Sequence, residues 1–463
     1  MALFTLAEVA RATKGCLVSG RAQAVNKPVR RVWTDSRTSR PGDLFVALTG
    51  DRFDGHQFLG DAFKKGAVAA LVRVGSAGYD RSTAMAPVIE VEDTLRAFQD
   101  LAAHHRRRFV IPVVAVSGSN GKTTTKEMIG RVLSERFKTL VTSANYNNQI
   151  GVPQTLLGLT THHRAAVIEM GISGFGEMTR LCEIAAPTHG VLTNIGPTHL
   201  ATLGNVESVA RAKGELLQAL PPTGTAILNA DDAFFHLLAR WVKGPLLSFG
   251  FGEQAQVRAV RIQVEGPASS SVSVVTPGRK HPFSLRLKIA GRHNIANALA
   301  AIAVGTALGI GVAAIRDGLG RYRSTAMRSE LRRWRGVTIL NDCYNANPAS
   351  LRAALQWLAE AKATSRGFAV LGDMLELGPE AAEMHREIGR EIPSFADYLL
   401  TVGTLGAEIA AGALAAGMKP DHVIPATAHD ELAERLRTLA RKGDVVLLKG
   451  SRGARMERVL EEL

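Results

Sequence analysis

Val113-Val114-Ala115-Val116-Ser117-Gly118-Ser119-Asn120-Gly121-Lys122-Thr123-Thr124-Thr125, followed by Lys126-Glu127-Met128-Ile129-Gly130-Arg131-Val132-Leu133-Ser134-Glu135-Arg136, decides how the chain is read. The β-branched run predicts a strand, and Met128, Ile129, Val132 and Leu133 lie near one face of a following helix. Between them, glycines let backbone N–H groups approach phosphate oxygens, and the helix N-terminus adds a positive dipole. Lys122 can reach β/γ-phosphates and the Thr123 hydroxyl can hold Mg²⁺. The stretch therefore predicts an ATP site built from Gly118, Ser119, Asn120, Gly121, Lys122, Thr123 and Thr124. It is shorter than the general G-x-x-x-x-G-K-[ST] pattern, which would place a glycine at Val116. The plainer alternative is a Gly/Ser turn before an ordinary helix.

Beyond the loop, strand-like pieces at Lys138–Val141, Ala165–Ile168, Gly190–Thr193 and Ala226–Leu228 alternate with helical segments, the signature of a parallel sheet with crossover helices. Residues 255–289 break that rhythm and predict an antiparallel patch. Upstream, strand-like Leu44–Leu48 and Val68–Val72 flank a helical stretch at Phe58–Lys65. Downstream of an arginine-rich stretch, Arg321 to Arg335, strand and helix alternate again from GVTIL to VVLLK with no second phosphate loop, as in a smaller doubly wound domain. The fold class expected is α/β in three domains: a small N-terminal α/β domain (1–90), a central P-loop-type domain with a mostly parallel sheet (91–322), and a Rossmann-like C-terminal domain (323–463).

Composition agrees with that scale. At roughly 150 residues per domain, 463 residues suggest about three domains, and 46% hydrophobic with 21% charged residues excludes disordered, collagenous and low-complexity classes. Lysine plus arginine exceeds aspartate plus glutamate by 56 − 42 = 14, which favours anionic partners. The three cysteines, Cys16, Cys182 and Cys343, are too scattered for a disulfide framework or zinc ribbon. The N-terminus does not read as a signal peptide, because Glu8 interrupts its apolar part. The most apolar segment, Asn297 to Ile315, reads as a buried helix, turn and second helix rather than a membrane span. A cytoplasmic protein is expected.

The short loop, G-[ST]-N-G-K-T-T, resembles the ATP loop of the Mur ligase family, whose members add amino acids or peptides to a nucleotide-linked peptidoglycan precursor. The resemblance runs along the whole chain in the family's order: NYNNQIGVP (Asn145 to Pro153), EMGISGFGEM (Glu169 to Met178), TNIGPTHL (Thr193 to Leu200), ARAKGELL (Ala210 to Leu217), LNADD (Leu228 to Asp232), GRHNIANALAA (Gly291 to Ala301), DCYNANPASLRAAL (Asp342 to Leu355), LGDMLELG (Leu371 to Gly378) and LLKGSRGARME (Leu447 to Glu457). TDSR (Thr34 to Arg37), PGDLFVAL and DGHQF are similar to the family's UDP-binding region. Within the family, the N-N-Q-I-G-V-P and Y-N-A-N-P segments resemble the branch that joins D-Ala-D-Ala to UDP-MurNAc-tripeptide. The sister branch that adds the third amino acid usually carries D-N-P-R, which does not occur here. Folylpolyglutamate synthases share the loop but are not expected to show the other segments.

The resemblance implies an acyl-phosphate mechanism in which both nucleophile and target of the first step are negative, so that positioning and charge neutralisation dominate. It implies two Mg²⁺ ions, with Thr123, Glu169, His199 and Lys213 as ligands. Glu169 ends the strand AAVIE, where a doubly wound sheet presents ligands, and a carboxylate suits Mg²⁺; the plainer reading is a solvated strand-end glutamate. Lys213 would serve as a carbamate formed with CO₂, although by itself it reads as an exposed helical lysine. Lys122, Lys213, His199 and Arg328 are the implied catalytic set. Asn294 and Asn297, three apart at a helix start and so on one face, would lie near the adenine, with N-capping as the ordinary alternative for Asn294. Arg328 and Asp342 would come from the third domain to the γ-phosphate region and the ribose, making domain closure part of catalysis. Asn345 and Asn347 would approach D-Ala-D-Ala, or else be turn residues before a helix with Pro348 at its first position. Ser36, Arg37, Asn147 and Asn148 would hold the UDP-sugar-peptide, unless Asp35 simply pairs with Arg37. A monomer is expected.

A competing reading is a P-loop ATPase that binds nucleic acid, suggested by the charge and by basic runs such as His104-His105-Arg106-Arg107-Arg108 and Arg332-Arg333. No RNA- or DNA-binding module or aromatic platform accompanies them, and such runs are ordinarily solvated faces. A non-catalytic scaffold with a relic site is disfavoured, because Lys122, Thr123, Glu169, His199 and Lys213 are all present.

Overall fold

A computed structural model describes the chain except residues 1, 20–24, 51–52, 77–85 and 290. It forms two compact units: Met1–Ala115 with Thr139–Gly171 and Glu177–Pro187, and Val116–Lys138 with Ile172–Gly176 and Thr188–Leu463.

In the first unit the N-terminal sheet has the order Cys16–Ser19, Val88–Val91, Ala69–Arg73, Asp43–Val46, Arg31–Trp33, parallel except for its first strand. The helix Leu6–Thr13 starts with a capping box, Thr5 Oγ1 accepting from Glu8 N (3.2 Å) while Thr5 N donates to Glu8 Oε2 (2.7 Å). The same unit carries the parallel pair Thr139–Val141 and Ala165–Glu169, and Ala166 N donates to Pro112 O at the start of the strand Val113–Ser117 (2.9 Å).

The run His104–Arg108 departs from a solvated face. His105 and Arg106 are buried. The Arg106 guanidinium donates to Ala185 O (2.8 Å), Ala186 O (3.2 Å) and Phe109 O (2.6 Å). The last carbonyls of a helix run out of intrahelical donors, and at the end of helix Glu177–Ala185 the arginine supplies donors to Ala185 O and Ala186 O. His105 Nε2 lies 3.0 Å from Leu159 O. Burial holds its pKa below the ordinary histidine value of about 6.5, and the nearby charges of Arg108 and His104 act the same way. Below that ordinary value the unfolded chain accepts a proton that the folded chain refuses, so this contribution to stability is complete above about pH 6.5 and is lost as pH falls. The thermal unfolding midpoint is expected to drop between about pH 7 and pH 5, and His105→Gln, whose amide can still donate to Leu159 O, should narrow that drop. An unchanged pH profile in the variant would remove His105 as its source.

The second unit continues from the end of Val113–Ser117 through His189–Leu192, Thr225–Asn229 and Leu246–Gly250 to Val257–Val264, Ser270–Val275 and Phe283–Leu287. The strands from His189–Leu192 to Val257–Val264 pair in parallel and the last two are antiparallel, as the sequence rhythm predicts. Helix Arg292–Ala307, a turn at Gly309 and helix Val312–Gly320 follow. Ile295, Leu299, Ile302 and Val304 are buried, each contributing about 1.5–3 kcal/mol. Among the described residues, no helix is long and apolar enough to cross a membrane.

The remaining sheet has the order Glu330–Trp334, Val337–Asp342, Val445–Lys449, Gly367–Leu371, Tyr398–Val402, Val423–Ala426. Five strands run parallel. Glu330–Trp334 is antiparallel to Val337–Asp342 and comes from the arginine-rich stretch, where the sequence pattern predicts no strand. Its hairpin turn, Arg335-Gly336, has φ of +48° and +82°, the both-positive geometry that matches strand twist.

Candidate active site

The phosphate loop leaves its strand at Ser117 and enters helix Lys122–Ser134 through Gly121. Two positions require glycine. Gly118 has φ +142°, and a Cβ there would sit 2.0 Å from Thr193 Oγ1; Gly121 has φ +79°, and its Cβ would meet Asn297 Oδ1 at 2.4 Å. Segment 193–196 fastens the loop between them. Ser119 N donates to Asn194 O (2.8 Å), and Asn120 N to Asn194 Oδ1 (2.9 Å). Ser119 Oγ donates to Gly196 O (3.0 Å) and accepts from Gly196 N (2.9 Å). Lys122 folds its ammonium onto Gly118 O (2.8 Å) and Ser119 O (3.2 Å), so the cation stands over the loop. Thr123, next in the helix, is buried.

From the loop helix, side chains connect several of the predicted residues in one line. Thr125 Oγ1 donates to Asn297 Oδ1 (3.1 Å), Asn297 Nδ2 to Asn294 Oδ1 (3.1 Å), and Asn294 Nδ2 to Ser329 Oγ (3.2 Å). Ser329 N then donates to Asp342 Oδ1 (2.8 Å), and Lys449 pairs with Asp342 Oδ2. Asn294 lies inside the first turn of a helix whose cap is Gly291, so it is not the cap. Arg328 lies with its guanidinium 3.7 Å from the Tyr344 ring centroid. The residues on either side of it, Met327 and Ser329, have φ of +59° and +49°. That strained turn is held by Glu330, which accepts from Met327 N (3.0 Å) and Asn341 Nδ2 (2.9 Å).

Lys213 departs most from an exposed helical lysine. It is 1% exposed on helix Val206–Ala219. Burial first, and then the charge of Lys122, push its pKa well below the ordinary lysine range. Such an amine is readily neutral, the form that reacts with CO₂. His199, in a left-handed conformation at φ +56°, starts the short helix Leu200–Leu203, and its Nδ1 stands 3.3 Å from Glu376 Oε2.

In the other unit, Glu169 is 1% exposed, unlike a solvated strand end. Its N donates to Thr142 Oγ1 (3.0 Å), and its Oε1 accepts from Asn147 Nδ2 (2.7 Å). Asn148 Oδ1 accepts from Ile150 N (3.1 Å) and Gly151 N (2.9 Å), opening helix Gly151–Leu156. Ser36 is buried. Arg37 is paired with Asp35 through two 2.9 Å bonds, the structural pairing that competes with a diphosphate contact. That bonding, against the opposing effect of burial, holds the Asp35 carboxyl below its ordinary value.

Asn194, Asp232, Ser329, Glu330 and Lys449 carry no role in the motifs by themselves, yet they fasten the site. Asp232 accepts from Ile195 N (2.7 Å) and Phe234 N (2.9 Å), and burial raises its pKa. Three of these residues lie inside quoted motifs, TNIGPTHL, LNADD and LLKGSRGARME, which was the available signal.

Among the described residues no group of three or more histidine, cysteine and carboxylate side chains forms a ready metal cage. In the second unit, Thr123 and His199 offer neutral oxygen and nitrogen donors. Lys213 beside Lys122 would oppose a cation as ammonium, whereas as carbamate it would supply the anionic oxygens that Mg²⁺ prefers. The donor set fits Mg²⁺ on that condition.

The chain matches the Mur ligase middle domain over residues 116–305, the glutamate ligase domain of Mur ligases over 327–452, and the Mur ligase family catalytic domain over 28–106. It is 37% identical over 465 residues to the UDP-N-acetylmuramoyl-tripeptide–D-alanyl-D-alanine ligase of Bacillus subtilis strain 168, covering 99% of this chain and 98% of that protein. Crystal structure I of MurF from Acinetobacter baumannii superposes with a TM-score of 0.90 at 32% identity, covering 99% and 98% of the two chains. The crystal structure of MurF ligase from Thermotoga maritima in complex with ADP gives 0.82 at 29% identity, covering 94% and 97%. With the loop, the three α/β sheets and near-complete coverage in agreement, the chain belongs to the Mur ligase family, in its MurF group.

Proposed function

We propose that the chain is an ATP-dependent, ADP-forming ligase that joins D-Ala-D-Ala to UDP-MurNAc-tripeptide, giving the UDP-MurNAc-pentapeptide precursor of peptidoglycan. One observation carries the reading: the chain is similar, end to end, to UDP-N-acetylmuramoyl-tripeptide–D-alanyl-D-alanine ligases. Its phosphate loop also keeps the positive-φ geometry that requires glycine at Gly118 and Gly121.

A carboxylate oxygen of the tripeptide attacks the γ-phosphorus, forming an O–P bond as ADP leaves. The dipeptide amine then attacks the acyl carbon, phosphate leaves, and the amine sheds a proton. Lys122 exchanges the loop carbonyls it now holds for phosphate oxygens, and the backbone N–H groups of the loop complete the cradle. Thr123, Glu169, His199 and carbamylated Lys213 would hold Mg²⁺, which neutralises phosphate charge when bound. Arg328 serves the γ-phosphate region, Asp342 the ribose, and Asn294 and Asn297 the adenine side. Ser36, Arg37, Asn147 and Asn148 are assigned to the UDP-sugar-peptide, and Asn345 with Asn347 to the loop facing the dipeptide. The domain limits 1–90, 91–322 and 323–463, a cytoplasmic location and a monomeric state belong to the same proposal.

The most basic run is not a continuous solvated face for nucleic acid, since His105 and Arg106 are buried in the fold. The decisive assay measures ADP release with ATP, Mg²⁺, UDP-MurNAc-tripeptide and D-Ala-D-Ala, omitting each in turn. Sustained turnover should need all four. ADP formation independent of both peptides, or stimulated by DNA, would sink the ligase reading.

A further inference from the structure

Asn120 has its backbone fixed on both sides. Its N donates to Asn194 Oδ1 (2.9 Å), and its O accepts from Thr193 Oγ1 (2.5 Å) and Asn194 Nδ2 (3.1 Å). Its side-chain amide is thereby left at a set place, and it meets the amide of Asn347. Asn347 Nδ2 donates to Asn120 Oδ1 (2.7 Å), and Asn120 Nδ2 donates back to Asn347 Oδ1 (3.4 Å). Asn347 is 7% exposed and is also the cap of helix Pro348–Lys362. Its Oδ1 accepts from Ser350 N (2.9 Å), while its N donates to Ser350 Oγ (3.1 Å). One carboxamide thus closes the first turn of a helix and reads the phosphate loop.

The neighbouring strand-end loop of the same sheet makes a second tie on this side. Gly372 N donates to Lys449 O (2.9 Å), Met374 N to His385 Nε2 (2.9 Å) and Leu375 N to Ser451 Oγ (2.8 Å). This pinned loop carries Glu376, at φ +64°, to His199. The Asn120–Asn347 bridge is the more demanding contact, because each amide must present both a donor and an acceptor.

We propose that Asn120 and Asn347 are a positioning pair, whose reciprocal amide bridge sets the phosphate loop against the strand-end loop 343–347 so that the activated carboxylate and the incoming amine are brought into register. The proposal rests on the ligase reading above. It deepens the role of Asn347, which bears on the placement of the dipeptide through its bridge to Asn120.

Asn347→Ser and Asn347→Asp both keep a good helix cap, but serine cannot reach Asn120, and aspartate sets an acceptor against Asn120 Oδ1. Each should lower kcat about tenfold. The Kd for MgATP without peptide substrates should stay within about twofold, and the unfolding midpoint within about 2 °C. Asn120→Ala should slow turnover similarly, and the double variant Asn120→Ala/Asn347→Ser should be no slower than the slower single variant. Independently of turnover, Asn120→Ala leaves the cap in place and should raise amide hydrogen exchange in segment 343–347. Parental kcat in the Asn347 variants, single losses that multiply in the double variant, or unchanged exchange in Asn120→Ala would overturn the pair. Failure of the ligase reading would be recognised separately, as ADP formation by the parent that ignores the peptide substrates.

Discussion

Lys213→Ala is expected to lower ADP formation by about a thousandfold, the scale for removing a preorganised charge at a phosphoryl-transfer centre, and added acetate or propionate should restore part of it. Lys213 is 1% exposed, and its burial, with the Lys122 charge nearby, pushes its pKa well below the ordinary lysine range. In its neutral form the amine would attack the carbon of CO₂, forming an N–C bond and releasing a proton to solvent, and a side chain that as ammonium would repel metal and phosphate would become a carboxylate on a long stem. Small carboxylates can occupy the space that the lysine side chain vacates. The parent enzyme should also lose activity in CO₂-depleted buffer and regain it with bicarbonate. A variant that unfolds at the parental temperature, yet is not helped by any short carboxylate, would sink the carbamate role.

Gly118→Ala carries the second large effect. The substituted Cβ would lie 2.0 Å from Thr193 Oγ1 and 3.1 Å from Thr193 N, at a φ of +142° that side chains rarely adopt. Backbone and strand cannot both stay in place, at a cost of about 1–3 kcal/mol. The loop amides then no longer converge on phosphate, and the affinity for MgATP should fall at least about a hundredfold, a loss near 2.7 kcal/mol. Titration calorimetry with MgATP checks this directly. Parental affinity in a folded variant would show that the loop does not hold the nucleotide.

The loop was legible because its demands are local. Glycine where φ is positive, lysine and threonine at a helix start, and a β-branched strand before them all lie within Val113–Thr125. The antiparallel strands after Val257 and the helix pair Arg292–Ala307 and Val312–Gly320 were legible for the same reason, since period and punctuation are short-range. What the loop touches was not legible. Gly196, Asn297 and Asn347 lie 77, 176 and 227 residues beyond Ser119, Gly121 and Asn120, and no spacing rule reaches that far. Lys213 looked like a surface residue because a helical lysine ordinarily is one. The signal against that was the small residues Ala210, Ala212 and Gly214 around it; a Cβ on Gly214 would strike the Trp241 ring at 2.2 Å. Arg106 misled in the same way, because the carbonyls it serves end a helix about 80 residues away.

The strand Glu330–Trp334 gives part of the excess positive charge a use. It is an outermost strand of its sheet, and it holds Arg332 and Arg333 exposed. A free strand margin invites another copy of the chain to pair along it, and cationic side chains set on that margin make two such margins repel. Part of the surplus charge then acts as colloidal protection. Arg332 also bonds Glu330 (2.9 Å), so the cleaner change is at Arg333, whose neutralisation should lower the concentration at which the chain stays dispersed.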